Sequence, residues 1–254
     1  MTTVLIPWAI AGGLNTLLLV IAWLLPKKLL TPAGYAHAWI LGVIIWGCLG
    51  WPGYVVVMAY FLIGSSVTRI GMAAKEAAGI AEKRSGMRGP ENVWGSALTA
   101  TICALGVAIA ASGWLPDLPQ YWISLLSLGY VASFATKLSD TTASEVGKAY
   151  GKRTFLITTL QPVLPGTEGA VSLEGTLAGI LGSTVIAGVG WATGLITLTD
   201  IPICLIAAFI ATNLESVIGA TLQEKLTWLT NELVNIANTT IGAIVAIGLA
   251  LIIR

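Results

Sequence analysis

The chain has 254 residues, of which 56% are hydrophobic and 10% charged, with a net charge of +1 and a mean hydropathy of +0.86. Soluble domains carry about 25% charged residues, so a soluble globular fold is excluded and the fold class is all-α, a polytopic membrane protein. The near-neutral charge, with basic residues spread over four loops, leaves no reason to expect nucleic acid.

Apolar runs of about 17 to 25 residues are long enough to cross the hydrocarbon core as helices. Eight are read here, at about 4 to 25, 34 to 50, 53 to 70, 93 to 113, 120 to 138, 175 to 198, 201 to 219 and 236 to 253, in a single integral-membrane domain over 1–254. The first has no basic residue before it and no small-residue cleavage pattern after it, so it is expected as a retained helix. Only Trp51-Pro52-Gly53 separates the second from the third. His37 sits in the second beside Tyr35 and Trp39 and reads as an interfacial anchor, the alternative being a general base. Trp8, Trp23, Trp51, Trp94, Trp114 and Trp122 fall near run ends, as belt residues do. Cys48, Cys103 and Cys204 lie inside apolar runs without nearby partners and read as small buried hydrophobes.

Between the third and fourth runs, GMAAKEAAGIAEKRSGMRGPEN has helical composition up to Arg84 and then breaks at Ser-Gly and Gly-Pro. A short interfacial helix is expected there. The connection serves either as a solvated link with snorkelling lysines or as a lid that handles phosphate through Arg88 and Asn92.

With the N-terminus outside, Lys27, Lys28, Arg69, Lys75, Lys83, Arg84, Arg88, Lys137, Lys148, Lys152, Arg153 and Lys225 all face the cytoplasm, and Arg254 alone faces away. That is twelve of the thirteen basic residues, as the positive-inside rule requires. The external loops hold Asp117 and Asp200.

The stretch from Lys137 to Gly175, KLSDTTASEVGKAYGKRTFLITTLQPVLPGTEGAVSLEG, gathers acids, bases, hydroxyls and glycines in an otherwise apolar chain. Ionisable groups near a bilayer are costly, which makes the cluster a functional-site candidate. Asp140 and Glu145 lie about 140° apart around a helix, so they converge only on something large. A hydrated Mg2+ carrying a nucleoside triphosphate fits, since Mg2+ is held by one or two carboxylates plus substrate phosphates. Lys148, Lys152 and Arg153 supply cations for phosphates, and the Gly166-Thr167-Glu168-Gly169 turn before the next helix has the makings of an anion cradle. The competing explanation for Glu145 is a salt bridge with Lys148 at a helix end. Asn213 and Glu215, then Asn231, Asn235 and Asn238 on one face of the eighth helix, extend the same polar basin.

The order DTTASEVGKAYGK, then QPVLPGTEGAVSLEG, resembles the D-x-x-A-x-x-x-G-x-x-x-G-K and S-P-x-K-x-x-E-G arrangement of membrane CTP-utilising enzymes, the phosphatidate cytidylyltransferases and dolichol-kinase relatives. More closely, RGPENVWGSA, SDTTASEVGK, LPGTEGAVSLEGTLAG, ESVIGATLQ and NELVNIANTTIGA together resemble the integral-membrane family that contains the phytyl-phosphate kinases of plant and cyanobacterial tocopherol synthesis. That resemblance covers about residues 60 to 245. It implies a CTP-dependent kinase that converts phytyl or another prenyl monophosphate to the diphosphate, in a plasma or thylakoid membrane with the site facing the cytoplasm. The alternatives are a lipid cytidylyltransferase, another lipid kinase, or an anion or lipid transporter. Gln161, Pro162, Val163 and Leu164 replace the lysine-bearing segment of the cytidylyltransferases, which argues against cytidylyl transfer.

On this basis Asp140, Glu145 and Lys148 are the candidate catalytic residues, and Asp140, Glu145 and Glu168 the Mg2+ ligands. Ser144, Lys148, Lys152, Arg153, Gly166, Thr167, Gly169, Arg88 and Asn92 are the candidate phosphate contacts, with Glu174, Asn213, Glu215, Asn231 and Asn235 supporting them. Reporter domains fused at Lys83 and at Arg153 are expected to be cytoplasmic, and one at Asp117 external. A cytoplasmic reporter at Asp117 would overturn this topology.

Overall fold

A segment surrounded by hydrocarbon has to satisfy its own backbone hydrogen bonds, which makes the helix the default for each apolar run. The computed structural model describes residues 2–113, 121–223 and 225–254. Trp114 and Asp117, read above as a belt residue and an external acid, lie outside the described residues. The long helices are α1 (Thr2–Leu24), α2 (Pro32–Thr68), α4 (Pro90–Ala111), α5 (Tyr121–Tyr150), α6 (Leu173–Ala192), α7 (Asp200–Ile218) and α8 (Asn231–Ile253), with a short α3 (Met72–Ala77) in the third connection. A small antiparallel pair, β1 (Thr154–Leu156) and β2 (Ala170–Ser172), stands between α5 and α6. All but α3 and α5 of these helices are long and apolar enough to cross a membrane.

The second and third apolar runs form one element rather than two, because the break between them is a single residue. Gly50 adopts φ 65° and ψ −158° inside α2, a left-handed conformation that glycine takes without steric cost. A straight helix of that length would be about 55 Å long. Instead both ends of α2 meet: Arg69 donates to Lys28 O at 3.0 Å, while Arg88 is joined by its backbone to Leu29 and Thr31 and by its guanidinium to Tyr60. The two halves therefore run antiparallel about Gly50. Tyr130 donates to Gly53 O at 2.7 Å, and Tyr54 to Asn15 Oδ1 at 3.0 Å, pinning the reversal to α5 and α1.

The fifth run also differs from its sequence outline. Expected to end within Lys137 to Glu145, α5 continues to Tyr150. It is polar for a spanning segment because it lies in the middle of the bundle, in contact with α2, α4, α6, α7 and α8, and every residue from Ser127 to Asp140 is buried. The tightest of these contacts is with α6. A Cβ on Gly175 would stand 2.5 Å from Ala143 O, one on Gly182 2.6 Å from Thr142 Oγ1, and one on Gly190 2.7 Å from Val131. Small residues spaced along one helix face let two backbones approach closely in a membrane. Thr142 uses that closeness to donate to Ala178 O at 3.0 Å.

The connection after α2 is less helical than its composition suggests. It holds only the six residues of α3, a 3-10 turn at Lys83–Gly86, and a left-handed Gly79. The basic residues collect at one end of the bundle, with the N-termini of α4, α6 and α8, the C-termini of α5 and α7, and the β hairpin. Gly95 of α4 packs on Glu232 of α8, Gly147 of α5 on Ser172, and Gly169 on Ser216 and Ala220. At the other end Arg254 binds Asp200 and Ser124. The three cysteines are free thiols. His37 accepts from Trp94 Nε1 at 2.8 Å and so links α2 to α4.

Gly182→Val is expected to lower stability by about 1 to 3 kcal/mol, the usual range for forcing atoms into a filled interface. Gly188→Val, where a Cβ meets nothing within 4 Å, is expected to change it by less than about 0.5 kcal/mol. Thermal unfolding in detergent compares the two, and equal effects would refute the close α5–α6 seam.

Candidate active site

Asp140 lies on α5 ten residues before its end, about 15 Å in from the basic end of the bundle. It is buried, and its carboxylate pairs with Lys137 one turn back on the same helix. Lys137 also donates to Asn235 Oδ1 of α8 at 2.6 Å. Asn235 thus contacts the lysine that pairs with Asp140. Glu145, five residues on, points elsewhere: it is held by Lys75 of α3, with Lys148 at 3.6 Å as a second partner. The spacing of about 140° thus separates the two carboxylates into two ion pairs. The Glu145–Lys148 contact weighed from sequence is present, but it is the longer of the two contacts made by the buried Glu145.

A cleft opens beside Asp140, between α5, α6 and α7. It is lined by Asp140, Ser139 and Ser144 of α5, by Ser172, Thr176, Ile180 and Ser183 of the α6 side, and by Phe209, Thr212, Asn213 and Ser216 of α7. Ser172 caps α6, accepting from Gly175 N at 3.1 Å, and Gly175 and Gly179 hold α6 close enough to α5 to narrow the floor. Glu215 of α7 is within electrostatic reach of Asp140, Lys137, Glu168 and Lys148, whereas Glu145 is engaged by Lys75 and Lys148. Among the described residues no three His, Cys, Asp or Glu side chains already converge as a ligand set.

The remaining candidates divide by position. Ser144 and Asn213 line the cleft. Lys148 is half-buried beside Glu145 and is not among the cleft-lining residues, and Lys152 and Arg153 are exposed in the turn that follows α5. Gly166 and Gly169 both take positive φ, at 89° and 75°. Gly169 is pressed against Ser216 O and Ala220 at the end of α7, and Gly166 against Ile80 of the third connection. Thr167 uses its hydroxyl and its N–H on Leu164 O, and Ala170 N–H returns to Thr167 O, so part of the expected cradle is spent on closing its own turn. Glu168 is exposed on that turn, Glu174 is in the first turn of α6, and Asn231 is exposed at the start of α8. Arg88 and Asn92 do not line the cleft. Arg88 donates to Tyr60 OH at 2.6 Å and lies over its ring, while Asn92 caps α4 by accepting from Gly89 N at 3.0 Å.

Comparison with known proteins gives this arrangement a context. The family described as "Integral membrane protein DUF92" matches residues 15–243. The chain belongs to this family. It is 66% identical over 243 residues to the uncharacterized membrane protein sll0875 of Synechocystis sp., covering 96% of this chain and 91% of that one. It is 45% identical to Protein VTE6, chloroplastic, of Arabidopsis thaliana, covering 94% of this chain and 71% of that protein. It is 32% identical to the uncharacterized membrane protein MJ0933 of Methanocaldococcus jannaschii, over 90% of this chain and 89% of the relative. No solved structure matches the chain.

Two residues of this DUF92 protein were assigned no site role by sequence reasoning. Lys137 counts in the sequence only as a basic residue near a helix end, yet it is the counter-ion of Asp140. Lys75 is one of several lysines in a polar connector, yet it is 1% exposed and also donates to Thr68 O at 2.8 Å. A lysine followed three residues on by an aspartate is a visible helix pair; nothing local in the sequence marks Lys75. Removing one partner of a buried ion pair costs about 3 to 5 kcal/mol because the other charge is left unpaired. Lys75→Met is therefore expected to destabilise the protein by about that amount, and Lys75→Met with Glu145→Gln to restore more than half of the loss. A single and a double variant that melt together would refute the pairing.

Proposed function

We propose that this membrane protein is a prenyl-phosphate kinase, with phytyl monophosphate as acceptor and CTP as donor, working at a basic end that faces the cytoplasm. The observation that carries this reading is the cleft itself. A buried carboxylate, several hydroxyls and an amide line it, Lys148, Lys152 and Arg153 follow along the chain at the end of α5, and it is cut into the spanning part of the bundle. A soluble nucleotide and a membrane lipid meet only where a polar site is open to both phases. The similarity to a chloroplastic relative over most of the chain, and the resemblance of five separated motifs to the phytyl-phosphate kinases, support the same class.

The reaction needs little covalent help from the protein. An oxygen of the lipid monophosphate attacks the γ-phosphorus of the donor, the bond from that phosphorus to the β,γ-bridging oxygen breaks, and the nucleoside diphosphate leaves with the electron pair. The acceptor oxygen is already ionised, so catalysis rests on positioning and on balancing charge. Asp140 and Glu215, with Glu168 at the loop, are suited to hold Mg2+, which binds through one or two carboxylates plus phosphates; Glu145 is less suited because Lys75 and Lys148 already engage it. Bound there, the ion would neutralise charge on the transferred phosphoryl group. Lys148, Lys152 and Arg153 serve the triphosphate, and Ser144 and Asn213 the lipid phosphate.

Purified protein given CTP labelled separately in the γ-phosphate and in the base is expected to pass only the γ label to the lipid. Base label in the lipid would mean cytidylyl transfer, and no label in it would overturn the kinase reading. Asp140→Asn is expected to lower turnover on the order of a hundredfold or more. Lys152→Ala is expected to raise the KM for CTP about ten- to a hundredfold, the equivalent of one charge-assisted contact, with a smaller effect on the lipid KM.

A further inference from the structure

The cleft borders the outside of the bundle. Ser144, Ser172, Asn213 and Ser216 line it towards the basic end, while Ser139, Asp140 and Ser183 line it at about the same depth as Ile180 and Phe209, Phe209 lying about 14 Å in from the end of α7. Ile180 and Phe209 line the cleft and are also 39% and 48% exposed on the outside of two spanning helices. A side chain that does both stands at a gap in the wall. Leu177 and Leu181, at 57% and 65% exposed, continue the same apolar surface along α6. Thr212 lines the cleft one turn of α7 from Phe209.

We propose that the gap between α6 and α7 at Ile180 and Phe209 is the port through which a long isoprenoid chain leaves the cleft sideways into the bilayer, at about the depth of Asp140. This rests on the lipid-phosphate kinase reading and adds where the tail goes. The proposed occupant is a single flexible chain rather than a two-tailed lipid. On the α5 side α6 is locked by its glycine seam, so the opening is bounded to one slot between two helices. Affinity for the tail then comes from apolar burial against α6 and α7, and the phosphate is held at the polar end of the same cleft. The apolar groove formed by Thr16, Trp23, Tyr35 and Trp39 on α1 and α2 has no polar end and is not continuous with Asp140.

The test uses the full-length protein in nanodiscs with a C20 isoprenoid monophosphate carrying a diazirine at mid-chain. Cross-links that unlabelled phytyl phosphate competes away are expected within residues 177–184 and 205–213. Cross-links confined to α1 and α2, or none that compete, overturn the proposal. In parallel, Ile180→Trp and, as a second variant, Phe209→Trp narrow the slot. Either is expected to raise the ratio of the KM for a C20 monophosphate to that for a C5 monophosphate by about tenfold, and an unchanged ratio in both overturns the port. If the wild type transfers no phosphate to any lipid, the kinase reading fails, while the cross-link map still decides where the chain lies.

Discussion

A charge on a helix that is packed on every side has to find its counter-charge inside the protein, and that requirement organises the basic half of this bundle. Burying an unpaired ion is prohibitive, whereas a paired and hydrogen-bonded one is tolerable. α5 carries Lys137, Asp140 and Glu145 into such a setting: Lys137 and Asp140 pair with each other, Asn235 of α8 accepts a further hydrogen bond from Lys137, and Lys75 of α3 pairs with Glu145. The ion pairs thereby fix the rotation of α5 about its own axis. They also tie the otherwise polar third connection onto the end of α5, where Gly71 packs against Ala149 and Ile80 against Gly166.

Close packing does the rest. The glycine face of α6 brings its backbone against α5 from Val131 to Ala143, so the two helices leave no room between them. What room remains is on the far side, towards α7, and that is where the cleft lies. Ser172 serves both purposes, since it caps α6 and packs against Gly147 and Gly151 at the end of α5. A side chain at Gly147 or Gly151 would push α6 outward and open the seam. Gly147 and Gly151 therefore serve the packing of α5 against the start of α6.

The same economy appears in the hairpin before α6. Its turn is closed by Thr167 and Ala170 and pressed on α7 through Gly169. The loop accordingly connects the C-terminal ends of α5 and α7 through a rigid bridge, and Glu168 is presented from it towards Glu215. A site built on helix ends and a braced turn holds its geometry better than one on free loops.

The sequence by itself determined the solvent, the helical class and the chemical character of one end of the molecule. Each of these follows from composition and from order along the chain, through apolar run length, the distribution of Lys and Arg, and the cluster from Asp140 to Gly175. It also placed Asp140, Ser144 and Asn213 among the residues that turn out to line one cleft. Which charge answers which was decided only by tertiary structure. Lys75 and Glu145 are seventy residues apart, and no local spacing relates them; Arg88 and Asn92 carry the right chemistry for phosphate, yet packing against Tyr60 and the cap of α4 claims them first. Whether α2 is one helix or two likewise depends on a single left-handed glycine, a conformation that Gly50 permits but does not compel, and contacts from Tyr130, Arg88 and Lys28 select it. Coulomb attraction and close packing act through space, and so the partner of a buried charge is known only once the helices are side by side.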